Sequence, residues 1–154
     1  DFRLCHRPYR QRARARTRGV MGSAGGRPAP AEPDPEASRR LLAAVRRCSP
    51  EDTARWLASR ADPNARSEHS GRPALVFAAK CIEGGPDIVR QLLAAGADVH
   101  GSGNDRETAL HVAVAWERAA NARLLVDAGA SKDARDVHGH TPRNLAMRRN
   151  GMHL

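Results

Sequence analysis

The sequence is poor in aromatic residues and cysteines and has no long apolar run. Phenylalanine, tryptophan and tyrosine together make up 3% of its 154 residues. No window approaches the roughly 18 consecutive apolar residues that a membrane-spanning helix needs, so we expect no membrane insertion. The three cysteines, Cys5, Cys48 and Cys81, are odd in number, widely spaced and without a CxxC pair. A disulfide framework and a cysteine zinc site are therefore not expected.

Lysine is also scarce, although the chain is strongly basic. The sequence has 26 Lys+Arg against 17 Asp+Glu, a net charge of +9, and 24 of those 26 cations are arginine. Residues 1–36 contain eight arginines against four acidic residues, with many prolines and glycines. Such a segment buries too little apolar surface to offset its ordering entropy. We therefore predict a disordered basic tail over residues 1–36.

The arginine run in this tail has several interpretations. It is compatible with a nuclear-import or nucleic-acid patch within residues 1–27, with an organelle transit peptide, or with an arm for an acidic partner. The scarcity of serine and of spaced apolar residues weakens the transit peptide. The bias towards arginine along the whole chain favours an incidental solvated tail. Because residue 1 is Asp rather than Met, we expect a fragment, a processed product or an unusual translation start.

From residue 37 the pattern becomes helical. The segment ASRRLLAAVRRC places Leu41, Ala44 and Val45 on one helical stripe. Ser49 and Pro50 suit the cap and first position of a second helix, DTARWLASR, which Pro63 cannot continue. Two short antiparallel helices and a turn make one unit.

This unit recurs along the chain. The second helices end in WLASRADPNA, LLAAGADVHG and LLVDAGASKDA, and the first helices open with PALVFAA, TALHVAV and TPRNLAM. Ala61, Ala97 and Ala130 are offset by 36 and then 33 residues. Recurrence at this period is typical of stacked repeats, each of which needs its neighbour to cover its apolar face.

These phrases resemble the ankyrin repeat, with its TPLHxA opening and LLxxGAD ending. The resemblance covers residues 37–154 and implies an all-α solenoid of about four helix pairs joined by turns or hairpin-like loops, with units at about 37–67, 68–102, 103–135 and a partial 136–154. Arg60 stands where the family has a left-handed glycine, and Arg143 where it has a buried leucine. The last unit is a shortened cap or a cut; we favour a cut, since Leu125, Leu145 and Met147 would otherwise be poorly covered.

The repeat pattern also assigns structural roles. Thr108 and Thr141 are expected to cap helices, His111 to hydrogen-bond the backbone, and Trp56 to pack in the core. The predicted shared core consists of Leu41, Val45, Leu57, Leu75, Phe77, Ala78, Leu92, Leu93, Leu110, Ala113 and Leu125.

The resemblance further implies a partner-binding concave face made of turn tips and the exposed ends of first helices. Trp116 is not required for packing, so it either forms an exposed anchor flanked by cations or leans onto the neighbouring unit. We expect a protein partner with an apolar anchor and acidic flanks. The candidate residues are His69, Ser70, Arg72, Lys80, Asn104, Asp105, Glu107, Trp116, Val137, His138, His140, Arg148 and Arg149.

Catalytic motifs are missing from the sequence, which contains no GxGxxG, GxxxxGK[ST], HExxH or GxSxG. His138 and His140, with His100 or His69, lack carboxylate or cysteine at ligand spacing, so we expect exposed tip residues and no metal or cofactor. Cys48 and Cys81 are expected to be reduced thiols in an intracellular protein, cytoplasmic or nuclear.

The predicted function is non-catalytic protein recognition through the concave face. One alternative is the ankyrin targeting or regulatory region of a larger multidomain protein, such as an enzyme or a ubiquitin-ligase adaptor. A second alternative is binding of nucleic acid or an acidic partner by the arginine-rich arm.

Overall fold

The computed structural model describes residues 32–148 as seven helices joined by turns. Within this range the only extended pairings are isolated bridges between Arg66 and Pro73 and between Ser102 and Thr108. Each of the first three predicted units holds one helix pair, and the fourth holds one helix. The helices are α1 (Pro35–Arg46), α2 (Pro50–Ala58), α3 (Ala74–Ala78), α4 (Gly85–Ala94), α5 (Ala109–Ala115), α6 (Ala119–Asp127) and α7 (Pro142–Arg148).

The first two helices begin at local capping signals. Asp34 accepts a hydrogen bond from the backbone N–H of Glu36 at 2.9 Å, so α1 begins at Pro35, two residues before the predicted start. The end of the predicted tail is therefore helical, and its arginine run lies outside the described residues. The hydroxyl of Ser49 accepts from the backbone N–H of Asp52 at 3.3 Å, and Pro50 occupies the first turn of α2, as predicted.

The second helix of each unit ends in the same left-handed turn. The backbone φ is +64° at Arg60, +90° at Gly96 and +91° at Gly129. After the turn, Ala61, Ala97 and Ala130 donate to the carbonyl five residues earlier, at 2.9–3.1 Å. The repeat is thus visible in the hydrogen bonds. The prediction that Arg60 takes a glycine conformation is confirmed, at a cost on the order of 1 kcal/mol.

The helices form two rows. The first helices α1, α3, α5 and α7 contact one another in sequence order, and so do the second helices α2, α4 and α6. Leu41, Leu75, Leu110 and Leu125 are fully buried between them, as predicted. The prediction is only partly right for the residues that pack against this core while remaining partly exposed: Trp56, Leu57, Phe77 and Leu93.

Polar side chains join neighbouring units inside the stack. The imidazole of His111 is buried and bonds Thr108 on one side and the carbonyl of His140, in the next unit, on the other. Asn121, which the sequence did not single out, is also buried and donates from Nδ2 to the carbonyl oxygens of Ala79 and Cys81, both at 3.1 Å. Each bond fixes the position of one unit against its neighbour.

The fourth unit is less covered than the others. Arg143, at the position of Leu75 and Leu110, is exposed, and Met147 is 71% exposed. Leu125, however, is fully buried, so the expectation that it is poorly covered is wrong. The helix that carries it, α6, packs against α4 and α5.

Candidate partner-binding surface

Three of the predicted turn-tip residues are engaged with one another. The guanidinium of Arg72 pairs with the carboxylate of Asp105, and lies 2.7 Å from the carboxylate of Glu107. Burial acts to raise the pKa of Asp105, but hydrogen bonds from Arg72 and from the backbone of Glu107 outweigh it and hold that pKa below its ordinary value. The three side chains therefore link the second unit to the third.

The turn tips are also joined through their backbones. The carbonyl of Ser70 accepts from the N–H of Asn104 at 3.0 Å, and that of Asp105 accepts from the N–H of Val137 at 3.1 Å. Glycine is favoured at position 71 because its backbone φ of +61° is one that residues with a Cβ seldom adopt. The side chains of His69, Asn104, Val137 and His138 remain exposed along this line.

The third tip is organised by a buried carboxylate. One oxygen of Asp136 accepts from the backbone N–H groups of His138 and His140, at 2.9 and 2.8 Å. Burial acts to raise the pKa of Asp136, but these two hydrogen bonds outweigh it and lower the pKa. His140 Nε2 lies 3.2 Å from a guanidinium nitrogen of Arg148. Among residues 32–148 no group of three or more His, Cys, Asp or Glu has a metal-binding arrangement.

Lys80 and Trp116 meet in a depression at the ends of the first helices, which we call the loop cavity. Its volume is about 530 Å³, and its walls are Arg47, Cys48, Lys80, Cys81, Ile82, Glu83, Trp116 and Arg118. Trp116 is 57% exposed and Ile82 70% exposed. Of the two interpretations of Trp116, the exposed side chain is therefore the one observed. Ile82 and Arg118 were not predicted, because they lie in connections whose lengths differ between units.

A second depression, the helix groove, lies between α1 and α3. It has a volume of about 420 Å³ and is lined by Arg39, Leu42, Ala43, Arg46, Arg66, Ser67, Glu68, His69 and Phe77. The exposed part of the Phe77 ring lies beneath two cations, with Arg46 5.7 Å and Lys80 6.0 Å from its centroid. Lys80, which lines the loop cavity, is therefore also near the helix groove through the Phe77 ring. Arg149 lies outside the described residues, so the structure places twelve of the thirteen candidates.

The family model for ankyrin repeats, in three copies, matches residues 41–150. The chain belongs to the ankyrin repeat family. The stacked helix pairs and left-handed turns of the structure agree with that match. The ankyrin repeat is a protein–protein interaction module.

The chain is similar to two kinds of known protein. The chain is 32% identical over 104 residues, 68% of its length, to SH3 and multiple ankyrin repeat domains protein 1 from human, and equally so to the mouse protein. It is 39% identical over 79 residues, 50% of its length, to potassium channel AKT3 from rice. It spans only 5% of the first of these proteins and 9% of the channel. Across residues 32–148 no helix is long and apolar enough to cross a membrane.

Two cysteines of the ankyrin stack form a disulfide. Cys48, in the connection after α1, is bonded to Cys81, beyond the end of α3, with a Cα–Cα distance of 5.7 Å. The predictions of reduced thiols and of no disulfide are therefore wrong for this pair. The two lie 33 residues apart, close to one repeat, and equivalent parts of stacked units are neighbours. That spacing is the signal which the sequence offered. The argument for an intracellular compartment from free thiols is lost with it.

Proposed function

We propose that this ankyrin-repeat chain is a non-catalytic binding module for an acidic protein segment that carries an apolar anchor. The observation that supports this most directly is the loop cavity, where the exposed Trp116 and Ile82 lie among the cations Arg47, Lys80 and Arg118. Exposed tryptophan beside arginine is the composition that dominates the energetics of protein interfaces. An apolar side chain of the partner would pack against Trp116 and Ile82.

The charge around the two depressions favours carboxylates on the partner. The loop cavity has three cations and one acidic residue in its walls, and the helix groove has Arg39, Arg46 and Arg66 against Glu68 alone. Arg39 pairs with Glu68 at 3.4 Å, and Arg66 donates to the backbone carbonyls of Gly71 and Ser102 at 3.0 and 2.7 Å. Arg46 is therefore the groove cation most available to a carboxylate of the partner. Such rim charges steer association and reject like-charged partners more than they add affinity.

The proposed docking path runs from the helix groove over Lys80 to the loop cavity. It uses His69, Lys80 and Trp116 of the predicted residues. Arg72, Asp105 and Glu107 are less available to a partner, because the single guanidinium already pairs with both carboxylates. Asn104, Val137 and His138 are exposed and extend the candidate surface along the turn tips, whereas His140 and Arg148 contact each other.

Selection from a random peptide library tests the proposal. Peptides enriched on the full chain should combine acidic residues with a large apolar residue. Trp116→Ala should weaken their binding by about thirty-fold, the effect of a hot-spot residue. Lys80→Gln should weaken it about three-fold at low salt and less at high salt. Lys132→Gln, the same change at the chain's other lysine, is the matched control. Enrichment of basic peptides, or equal binding to Trp116→Ala, would contradict the proposal.

A second candidate is that the repeats serve a larger protein as its targeting or regulatory region. Its support is that the chain spans about a twentieth of the SH3 and multiple ankyrin repeat domains proteins that it resembles. Mass spectrometry of the endogenous protein tests this, since peptides beyond either end would show the larger chain. The cytoplasmic or nuclear location stays a prediction, and imaging of the tagged full-length protein tests it.

A further inference from the structure

The disulfide between Cys48 and Cys81 forms part of the wall of the loop cavity. It lies among the same cations that surround Trp116 and Ile82. We propose that this bond is a thiol–disulfide exchange site for small anionic thiols, and that its cleavage opens the loop cavity. The exchange chemistry stands by itself, whereas any effect on partner binding rests on the proposed function.

The two sulfurs differ in access. Cys81 is 2% exposed, whereas Cys48 is partly exposed and lies in a connection on the surface. An incoming thiolate therefore reaches the sulfur of Cys48, and Cys81 is the leaving group. The Cys81 sulfur lies 3.6 Å from the carbonyl oxygen of Val45. Once the disulfide is broken, this oxygen can accept a hydrogen bond from the Cys81 thiol. The reduced form thus leaves no buried thiol without an acceptor.

The exchange balances with two equivalents of thiol. The first thiolate forms a bond to Cys48 Sγ as the bond between Cys48 and Cys81 breaks, and Cys81 takes up a proton. A second thiolate attacks the small-molecule sulfur of this mixed disulfide and releases Cys48 as a thiolate, which is also protonated. The protein disulfide is reduced to two thiols, and two thiols of the reagent are oxidised to its disulfide.

The walls of the loop cavity favour an anionic reagent. Arg47 is adjacent to Cys48 in the chain, Lys80 is adjacent to Cys81, and Arg118 donates to the carbonyl of Lys80 at 3.1 Å. Glu83 is the one acidic residue among the residues that line the cavity. A thiol that carries a carboxylate is concentrated here, and the cations stabilise the thiolate that forms at Cys48.

Cleavage is expected to move the Cys48 side of the cavity. The Cys81 side is held by Asn121, whose buried amide bonds the carbonyls of Ala79 and Cys81. Cys48, in contrast, lies in the connection between α1 and α2, which the disulfide ties covalently to the end of α3. Once the bond is broken, the connection that carries Arg47 and Cys48 is free to relax away from α3. The distance between the Arg47 and Lys80 walls would then increase.

Exchange rates test the chemistry without any partner. In a Cys5→Ser background, the native full chain is treated with 3-mercaptopropionate, 2-mercaptoethanol or cysteamine at equal thiolate concentration. The free cysteines are then alkylated, and the extent of alkylation is measured by mass spectrometry. The anionic thiol should react about five-fold faster than the neutral one and the cationic one slowest, with the differences lost at high salt. Lys80→Gln should slow the anionic thiol, and Lys132→Gln should not. No alkylation of Cys48 and Cys81 without denaturant, or equal rates for all three thiols, overturns the exchange site.

The fluorescence of Trp116 tests the opening of the cavity. The chain has two tryptophans, so Trp56→Phe leaves Trp116 as the single reporter. Reduction should shift its emission and its quenching by iodide, and Cys48→Ser with Cys81→Ser should give the same shift without reductant. If Trp56→Phe unfolds the chain, the difference between the parent and Trp116→Phe isolates the same signal. An unchanged Trp116 signal after complete reduction overturns the opening, whether or not a partner is ever found.

Discussion

The imidazole Nε2 of His111 lies 3.1 Å from the backbone carbonyl oxygen of His140, one unit further along the stack. Its other nitrogen, Nδ1, accepts from the backbone N–H of Thr108 at 3.2 Å and lies 2.9 Å from the Thr108 hydroxyl. One neutral ring with its proton on Nε2 satisfies both sets of contacts. The His111 side chain therefore caps the N-terminus of α5 and hydrogen-bonds the third unit to the fourth.

Replacing His111 should destabilise the stack strongly. We expect His111→Ala to lower the free energy of unfolding by about 3 kcal/mol, because it leaves a cavity and the N–H of Thr108 loses its acceptor. The carbonyl of His140 loses one contact and keeps the hydrogen bond from the N–H of Asp136. His69→Ala, at an exposed tip, is the control and should change it by less than about 0.5 kcal/mol. Urea titration followed by circular dichroism measures both. Equal stability of the two variants would remove the inter-unit role of His111.

At the left-handed turns, replacing a side chain by glycine and replacing glycine by alanine should have opposite effects on stability. Arg60→Gly should stabilise the chain by up to about 1 kcal/mol, since the φ of +64° penalises a Cβ. Gly96→Ala, at the equivalent position with φ +90°, should destabilise it by a similar amount. Thermal unfolding of the two single variants checks the signs. A loss of stability in Arg60→Gly would show that the side-chain contact of Arg60 to the Glu32 carbonyl outweighs the backbone term.

The buried carboxylate of Asp136 predicts a loss of stability in acid. Its pKa in the folded chain is below the ordinary value of 3.8, so the unfolded chain binds its proton first. The stabilisation is present above that ordinary value and is lost as the pH falls through the lowered folded pKa. Asp105 acts in the same direction.

Replacing Asp136 isolates its contribution to the stability and to the pH dependence of the stability. Asp136→Ala should lower the free energy of unfolding at pH 7 by about 2 kcal/mol, because the N–H groups of His138 and His140 lose their acceptor. It should also reduce the fall in stability between neutral and acidic pH. Denaturant unfolding at several pH values measures both effects, with the exposed Asp87→Ala as the control. The same acid dependence in Asp136→Ala and the parent chain would contradict the assignment.

The basic arm predicts salt-dependent binding to nucleic acid if it acts as a nucleic-acid patch. Affinity of the full chain for duplex DNA should then fall steeply as salt rises, because phosphate contacts release counterions. Deletion of residues 1–27 should abolish that binding, whereas Lys80→Gln should leave it unchanged. Fluorescence anisotropy at two salt concentrations measures it. Binding that survives the deletion would rule out the arm.

Local signals explain why the helix pairs were predictable. Ser49 and Pro50 start α2 by acting on the next few residues, and Arg60, Gly96 and Gly129 end helices by their own backbone angles. Start and stop signals at a constant period were sufficient to predict the stack. Phe77 was assigned to the core because its position in the pattern is apolar, yet part of its ring faces the helix groove. The pattern does not record how much of an apolar side chain the next unit covers.

The candidate surface was predictable only in part. Lys80 and Trp116 follow from their place at the ends of first helices, and both line the loop cavity. Arg72, Asp105 and Glu107 were assigned to partner binding because they are charged and at turn tips. The structure shows them paired across two units, which single-residue exposure does not reveal.

The amino-acid sequence alone determined that helix pairs recur and, to within a few residues, where their helices begin and end, since capping, proline and left-handed turns act over a few residues. Only the tertiary structure decided which side chains meet: Cys48 with Cys81, Arg72 with Asp105, and His111 with the carbonyl of His140. These partners are 29–33 residues apart. They come within bonding distance only when two units stack, because each pair joins residues of two different units.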